Sequence, residues 1–142
     1  MLAYHGNAEL KERFVGQLRW HQEQDRIVSG TYGDDCSDEE FKGCAVGCSI
    51  HSMALLNGEH YNTANHNLYE TLIGVPEWVA RLCDALFEGL PEGDQEKFPV
   101  QFGEAVNPGS DLNAIKPKFI IFILRYCREN AFDDGKAAID QC

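Results

Sequence analysis

The segment Lys42-Gly43-Cys44-Ala45-Val46-Gly47-Cys48-Ser49-Ile50-His51 places two thiols and an imidazole at one-helical-turn spacing. If it is helical, Cys44, Cys48, His51 and Leu55 fall on one stripe. Two sulfurs and an imidazole aimed at one point are three of the four ligands of a structural zinc site, and a divalent metal such as zinc is the cofactor they would hold. The fourth ligand is missing locally; His21, Asp25, His66, Glu70 or Cys36 are the residues that the fold would have to bring in. Paired C-x2-C spacing of the usual zinc modules is absent. A second chemistry needs only one thiol. Cys44 at a helix N-terminus beside Lys42 would be favoured as thiolate, with His51 or His21 to orient or deprotonate it, as in acyl transfer. The plain alternative is that Cys44, Cys48 and Leu55 pack as core residues while His51 bonds to backbone.

His66 and Glu70 form an i,i+4 pair, and Asp84 and Glu88 form another. Facing helices carrying such pairs hold divalent or di-iron centres in helical bundles, but the Glu-x-x-His pairs of those centres are absent. The bland reading makes His66 and Glu70 a helix-stabilising pair and puts Asp84 and Glu88 on a solvated face with Arg81. Phosphate loops, dinucleotide fingerprints, Gly-x-Ser-x-Gly elbows and His-Glu-x-x-His motifs are absent, so the common enzyme classes have no support.

The elements that would position these groups read as helices. Asn7 is a candidate N-cap for a helix to about Ser29 with Leu10, Phe14, Leu18 and Val28 on one apolar stripe; His21 and Asp25 interrupt that stripe. Gly30 to Gly33 stops the helix, and a loop with five carboxylates in the seven residues Asp34–Glu40 follows. Carboxylates at that density predict an exposed, solvated loop. The helix from Cys44 to about Leu56 has a second apolar face of Val46, Ile50 and Met53, which makes it a central element ended by Asn57-Gly58. A short helix spans His66 to Ile73, and Pro76 opens another that buries Val79, Leu82, Cys83 and Leu86. Pro99 forbids a continuous helix between Gly93 and Gly109, where Phe98, Phe102 and Val106 mark one short apolar stretch. Pro117 opens the last helix, through about Asn130, with Phe119–Leu124 as its buried part; periodicity alone leaves a buried strand open for those six residues.

With 142 residues, 44% apolar and 25% charged, the chain has the size and composition of one globular domain. The expected fold is all-α, a single compact domain of five or six helices around the Cys44–Leu56 helix. A net charge of −11 repels phosphate backbones and argues against nucleic acid as a partner. The longest apolar run, Phe119–Leu124, is far short of the roughly 20 residues that cross a bilayer, which argues against a membrane. Met1 to Gly6 lacks the features of a signal peptide, so the expected location is cytoplasmic with reduced cysteines.

The Lys42–His51 segment, then His66-x-x-Tyr69-Glu70-x-x-x-Gly74-Val75-Pro76, then Leu82-x-Asp84-x-x-Phe87-Glu88-Gly89-Leu90-Pro91 resemble a family of small uncharacterised proteins of bacterial and phage genomes. The similarity covers roughly residues 5 to 125 and carries no activity, cofactor or partner with it. It implies that Cys44, Cys48, His51, His66, Tyr69, Glu70, Asp84 and Glu88 meet in one site. Cys83 departs from it, standing where the family pattern has a carboxylate.

The leading expectation is a polar pocket where His21, Asp25, Cys44, Cys48, His51, His66 and Glu70 converge for metal-dependent or thiol-based chemistry on a small substrate. Cys44 would be ligand or nucleophile, His51 ligand or base, and Asp25 or Glu70 the orienting carboxylate. His51 is expected within reach of at least one of His21, Asp25, His66 or Glu70. The competing expectation is a non-catalytic acidic module that binds a protein partner, such as a phage-type inhibitor, through the Asp34–Glu40 loop.

Overall fold

The computed structural model describes residues 1–33 and 40–140, with the backbone alone for Asp133 and Asp134. The described chain is all-α, and its only β pairing is a single bridge between Ile27 and Gly43. Two compact units are distinguished, Met1–Ser110 and Asp111–Cys142. No helix among the described residues is long and apolar enough to cross a membrane.

The first unit opens with a left-handed turn at Ala3–Gly6, which leads into α1 (Ala8–Glu23). The Asn7 side chain caps α1 by accepting from Glu9 N at 2.9 Å and Leu10 N at 3.1 Å, which satisfies two of the amides a helix start leaves unpaired. Phe14, Val15, Leu18 and His21 are its buried stripe. The helix stops at Glu23, six residues before the expected end at Ser29. Asp25 takes a left-handed φ of 52° and turns the chain, so that Val28 N reaches Gly43 O at 2.9 Å and Gly43 N reaches Arg26 O at 3.0 Å. Asp25 is therefore an exposed turn residue, not part of the buried stripe.

α2 (Ala45–Asn57) is buried without a break from Ala45 to Ala54 and packs against α1, α3 (Leu68–Ile73), α4 (Glu77–Gly89) and α6 (Phe98–Ala105). Gly58, at φ 66°, ends it in the left-handed conformation that a residue without Cβ adopts at no steric cost. Leu55, expected on the chemical stripe, lies past the buried stretch and is 39% exposed. Pro76 stands at the N-cap of α4, which buries Val79, Ala80, Cys83 and Phe87; Phe87 takes the place expected for Leu86, which is exposed. α5 (Glu92–Gln95) is a single turn before α6, and Pro99 sits in the first turn of α6, where its missing amide costs no hydrogen bond. Of the acidic loop, Glu40 is exposed, and Asp34–Glu39 lie outside the described residues.

The second unit consists of α7 (Leu112–Asn130) packed on α8 (Asp133–Ile139). α7 begins at Leu112 because Asp111 caps it, accepting from Asn113 N at 3.1 Å, and Pro117 falls inside the helix instead of opening it. Phe119–Leu124 is helical, but no residue of α7 is buried, against the expectation of a core segment. Its packing partner is a helix of 7 residues, too short to cover it.

Two glycines separate the close approaches in this fold from the open positions. A Cβ on Gly47 would stand 2.5 Å from Tyr32 O, a backbone atom, whereas nothing lies within 4 Å of the same point on the exposed, helical Gly16. Gly47→Ala is expected to destabilise the protein by about 1–3 kcal/mol through overpacking. Gly16→Ala should stabilise it by up to about 1 kcal/mol through helix propensity. Thermal unfolding followed by circular dichroism checks both signs.

Candidate functional site

Cys44 is held where the two close-packed segments meet. Its amide donates to Thr31 O at 2.7 Å, and its extended backbone makes it the N-cap of α2, the thiol sulfur accepting from Gly47 N at 3.5 Å. The absence of a Cβ at Gly47 lets the Tyr32 backbone lie on the first turn of α2. Tyr32 then reaches α4, and its hydroxyl donates to Asp84 Oδ2 at 2.7 Å. The Cys44 thiol donates to Asp84 Oδ1 at 3.5 Å, and the Glu88 carboxylate accepts from Gly30 N at 3.1 and 3.2 Å. Sγ of Cys44 and one carboxylate oxygen each from Asp84 and Glu88 all lie within 4.8 Å of one another. Cys44 is buried, Asp84 half-buried and Glu88 exposed, so the group opens to solvent at Glu88.

His66 closes the inner side. Its Nε2 lies 3.2 Å from Asp84 Oδ2 and its Nδ1 lies 3.1 Å from Ala64 O. The Tyr32 ring meets the His66 ring edge-on, with centroids 5.7 Å apart. Tyr69 is buried in the same region, and burial raises its phenol well above the ordinary value while the Ser49 hydroxyl opposes that shift.

The electrostatics favour the neutral forms of Cys44 and Tyr32. Burial pushes the Cys44 thiol up to about 12; the Gly47 amide opposes that shift and the Asp84 charge adds to it. The hydrogen bond to Asp84, then burial, raises the Tyr32 phenol. The expectation from sequence is a thiol favoured as thiolate by the helix dipole and Lys42; in the structure the thiol is buried and faces a carboxylate, while Lys42 is exposed.

The other expected residues divide. His21 and His51 come together, Nε2 of the first 2.8 Å from Nδ1 of the second, both buried between α1 and α2. His51 cannot share an ion with Cys44, because seven residues of helix separate them by about 10 Å along the axis. Between them, the Cys48 thiol turns to backbone, donating to Gly43 O at 3.2 Å, and burial raises its pKa. Asp25 lines a cleft of about 530 Å³ with Gln22, Glu92 and Gln95, which shares no lining residue with the Cys44 group. Glu70 accepts from Glu77 N at 3.0 Å and so caps α4 instead of pairing with His66. Asp84 is drawn inward and Arg81 pairs with Glu77, so Asp84 does not belong to a solvated face. Tyr32 entered the sequence reading only as part of a helix stop; an aromatic residue between two glycines was the available signal for it.

The chain matches no protein-family model, no curated protein and no solved structure.

A thiol held this far up is nearly all protonated at pH 8. In metal-free protein at that pH, Cys44 should react with iodoacetamide about a thousandfold more slowly than the exposed Cys127, and at a comparable rate after unfolding. Peptide mapping of the alkylated cysteines measures the ratio.

Proposed function

We propose that Cys44, Asp84 and Glu88 bind a divalent transition metal, zinc fitting best, for metal-dependent chemistry on a small substrate. The observation that carries this reading is the approach of three potential ligand atoms from two helices to within 4.8 Å of one another. The 3.5 Å between Cys44 Sγ and Asp84 Oδ1 is close to the roughly 3.6 Å that separates sulfur and oxygen ligands on a tetrahedral zinc. One thiolate with two carboxylates selects zinc, cobalt or iron over magnesium and calcium, which take oxygen ligands alone.

The electrostatics favour this reading over a free-thiol nucleophile. A bound dication removes the thiol proton outright, whereas nothing else at the site lowers the pKa enough to do so. Residues 111–142 carry five Lys and Arg and five Asp and Glu, so the whole excess of −11 lies in Met1–Ser110 and draws cations to the unit that holds the site. His66 has the outer-layer role common in metal sites: it fixes the orientation of the Asp84 carboxylate. Three protein ligands with an opening at Glu88 leave a coordination position for water or substrate, the pattern of catalytic rather than structural zinc. A metal there would supply a hydroxide near neutral pH, and Tyr32 stands beside it to hydrogen-bond what is bound.

Cobalt(II) titration tests the reading. One ion per chain should bind with a thiolate-to-cobalt charge-transfer band; Cys44→Ser should abolish the band, and Asp84→Asn or Glu88→Gln should weaken binding at least about tenfold. Binding that is absent, or unchanged in all three variants, would overturn it.

A further inference from the structure

The metal reading makes no use of α7, a helix of 19 residues of which none is buried. Leu112, Ile115, Phe119, Phe122 and Tyr126 are spaced alternately three and four apart, so on a helix they form one stripe over two heptads. Ile115 is 46%, Phe122 61% and Tyr126 58% exposed, and Ile123 at the stripe's edge is 38% exposed. α8 packs on the opposite side of α7, where Arg128 pairs with Asp140 at 3.1 Å and Leu124, one turn before Arg128, is half-buried. Pro117 also falls on that far side, away from the stripe.

We propose that this stripe is the interface of a homodimer, covered by the same stripe of a second copy in parallel alignment. A two-fold contact uses one patch on both copies, so the stripe has to be complementary to itself in area and in charge. At roughly 200 Å² for a large side chain, Ile115, Phe122, Tyr126 and Ile123 present about 400 Å² per helix, and two copies bury about 800 Å² through them alone. Leu112, Phe119 and the methylene stems along the margins bring the total to about 1,200 Å², the lower end of specific interfaces.

Charge sets the alignment. In a parallel pair the margin residues that meet are Asp111 with Lys116, Lys118 with Ile123 and Arg125 with Asn130, which gives one attraction and no like-charge pair. An antiparallel pair would set Lys118 beside Arg125 on both copies. The net −11 of each chain opposes association and is screened by salt, with a Debye length of about 8 Å at physiological ionic strength. The dimer therefore tightens as salt rises, the reverse of what a basic helix shows on an anionic surface.

Sedimentation equilibrium of the metal-free, full-length protein in reducing buffer tests the proposal. A monomer–dimer equilibrium with a dissociation constant of about 1–100 µM is expected, tightening between about 50 and 500 mM salt. Phe122→Glu puts a carboxylate in the middle of the stripe and should weaken the dimer at least about a hundredfold. Ile121→Glu, at a side chain 49% exposed outside the stripe, should change it less than about threefold. Both side chains are exposed in the monomer, so both variants should keep the helix content of the unmodified protein by circular dichroism. With Cys127→Ser in place, Tyr126→Cys should cross-link to its counterpart under diamide, which an antiparallel pair would hold at opposite ends of the contact; peptide mapping locates the bond. A protein monomeric at about 500 µM in high salt, or a dimer that Phe122→Glu and Ile121→Glu affect equally, would overturn the dimer. A dimer without the Tyr126→Cys cross-link would overturn its parallel alignment. Binding of a monomer to phosphatidylserine–phosphatidylcholine vesicles, lost in Phe122→Glu and weakened by salt, would assign the stripe to a lipid surface instead.

Discussion

The contact on which the rest of the first unit depends is the approach of the Tyr32 backbone to the first turn of α2. A Cβ on Gly47 would stand 2.5 Å from Tyr32 O and one on Gly43 3.1 Å from it, so no other residue type admits this crossing without displacing backbone. From it follow the Thr31–Cys44 hydrogen bond, the direction of the Tyr32 side chain toward Asp84 and the contact of Gly30 with Glu88. The chemical group is thus assembled by a backbone-to-backbone approach, and the side chains that could act are consequences of it.

A helix buried along ten residues must satisfy every polar side chain it carries, because an unpaired buried polar group costs on the order of 1–3 kcal/mol. α2 solves this locally where it can. Ser49 and Ser52 donate to the carbonyls of Ala45 and Cys48 one turn back, at 2.8 and 2.7 Å, and the Cys48 thiol donates to Gly43 O. What remains is met by neighbours: Cys44 by Asp84 of α4, and His51 by His21 of α1. The two pairings differ in kind. Cys44 faces a carboxylate near solvent, an environment that suits a cation, whereas burial beside Trp20 and Phe41 disfavours one on His21.

Legibility in the sequence followed the range of the interaction involved. Helix ends written in local chemistry were readable: the Asn7 cap, Gly58 after α2, and Pro76 ahead of α4. Ends decided by pairing with distant segments were not. Asp25 extends the helical pattern in sequence but turns the chain, because Arg26 and Val28 pair with Gly43 instead of continuing α1. Phe119–Leu124 looked buried because six apolar residues in a row usually are, but burial needs a partner surface, and within its own unit α7 has only the short α8.

By itself the sequence determined the all-α class, the burial of the segment from Cys44 on both of its faces, and the residues with ligand or acid–base chemistry. Each of these depends on periodicity and residue type, which are local properties. Tertiary structure alone decided which of those residues meet. Cys44 and His51 point in nearly one direction from α2, yet they lie two turns apart and face different helices; Asp84 and Tyr32 became partners of Cys44 only through the crossing over Gly47. A helix apolar on all sides gives no preferred neighbour for any one of its faces, so the assignment of faces to partners is fixed by backbone approach and packing across the chain.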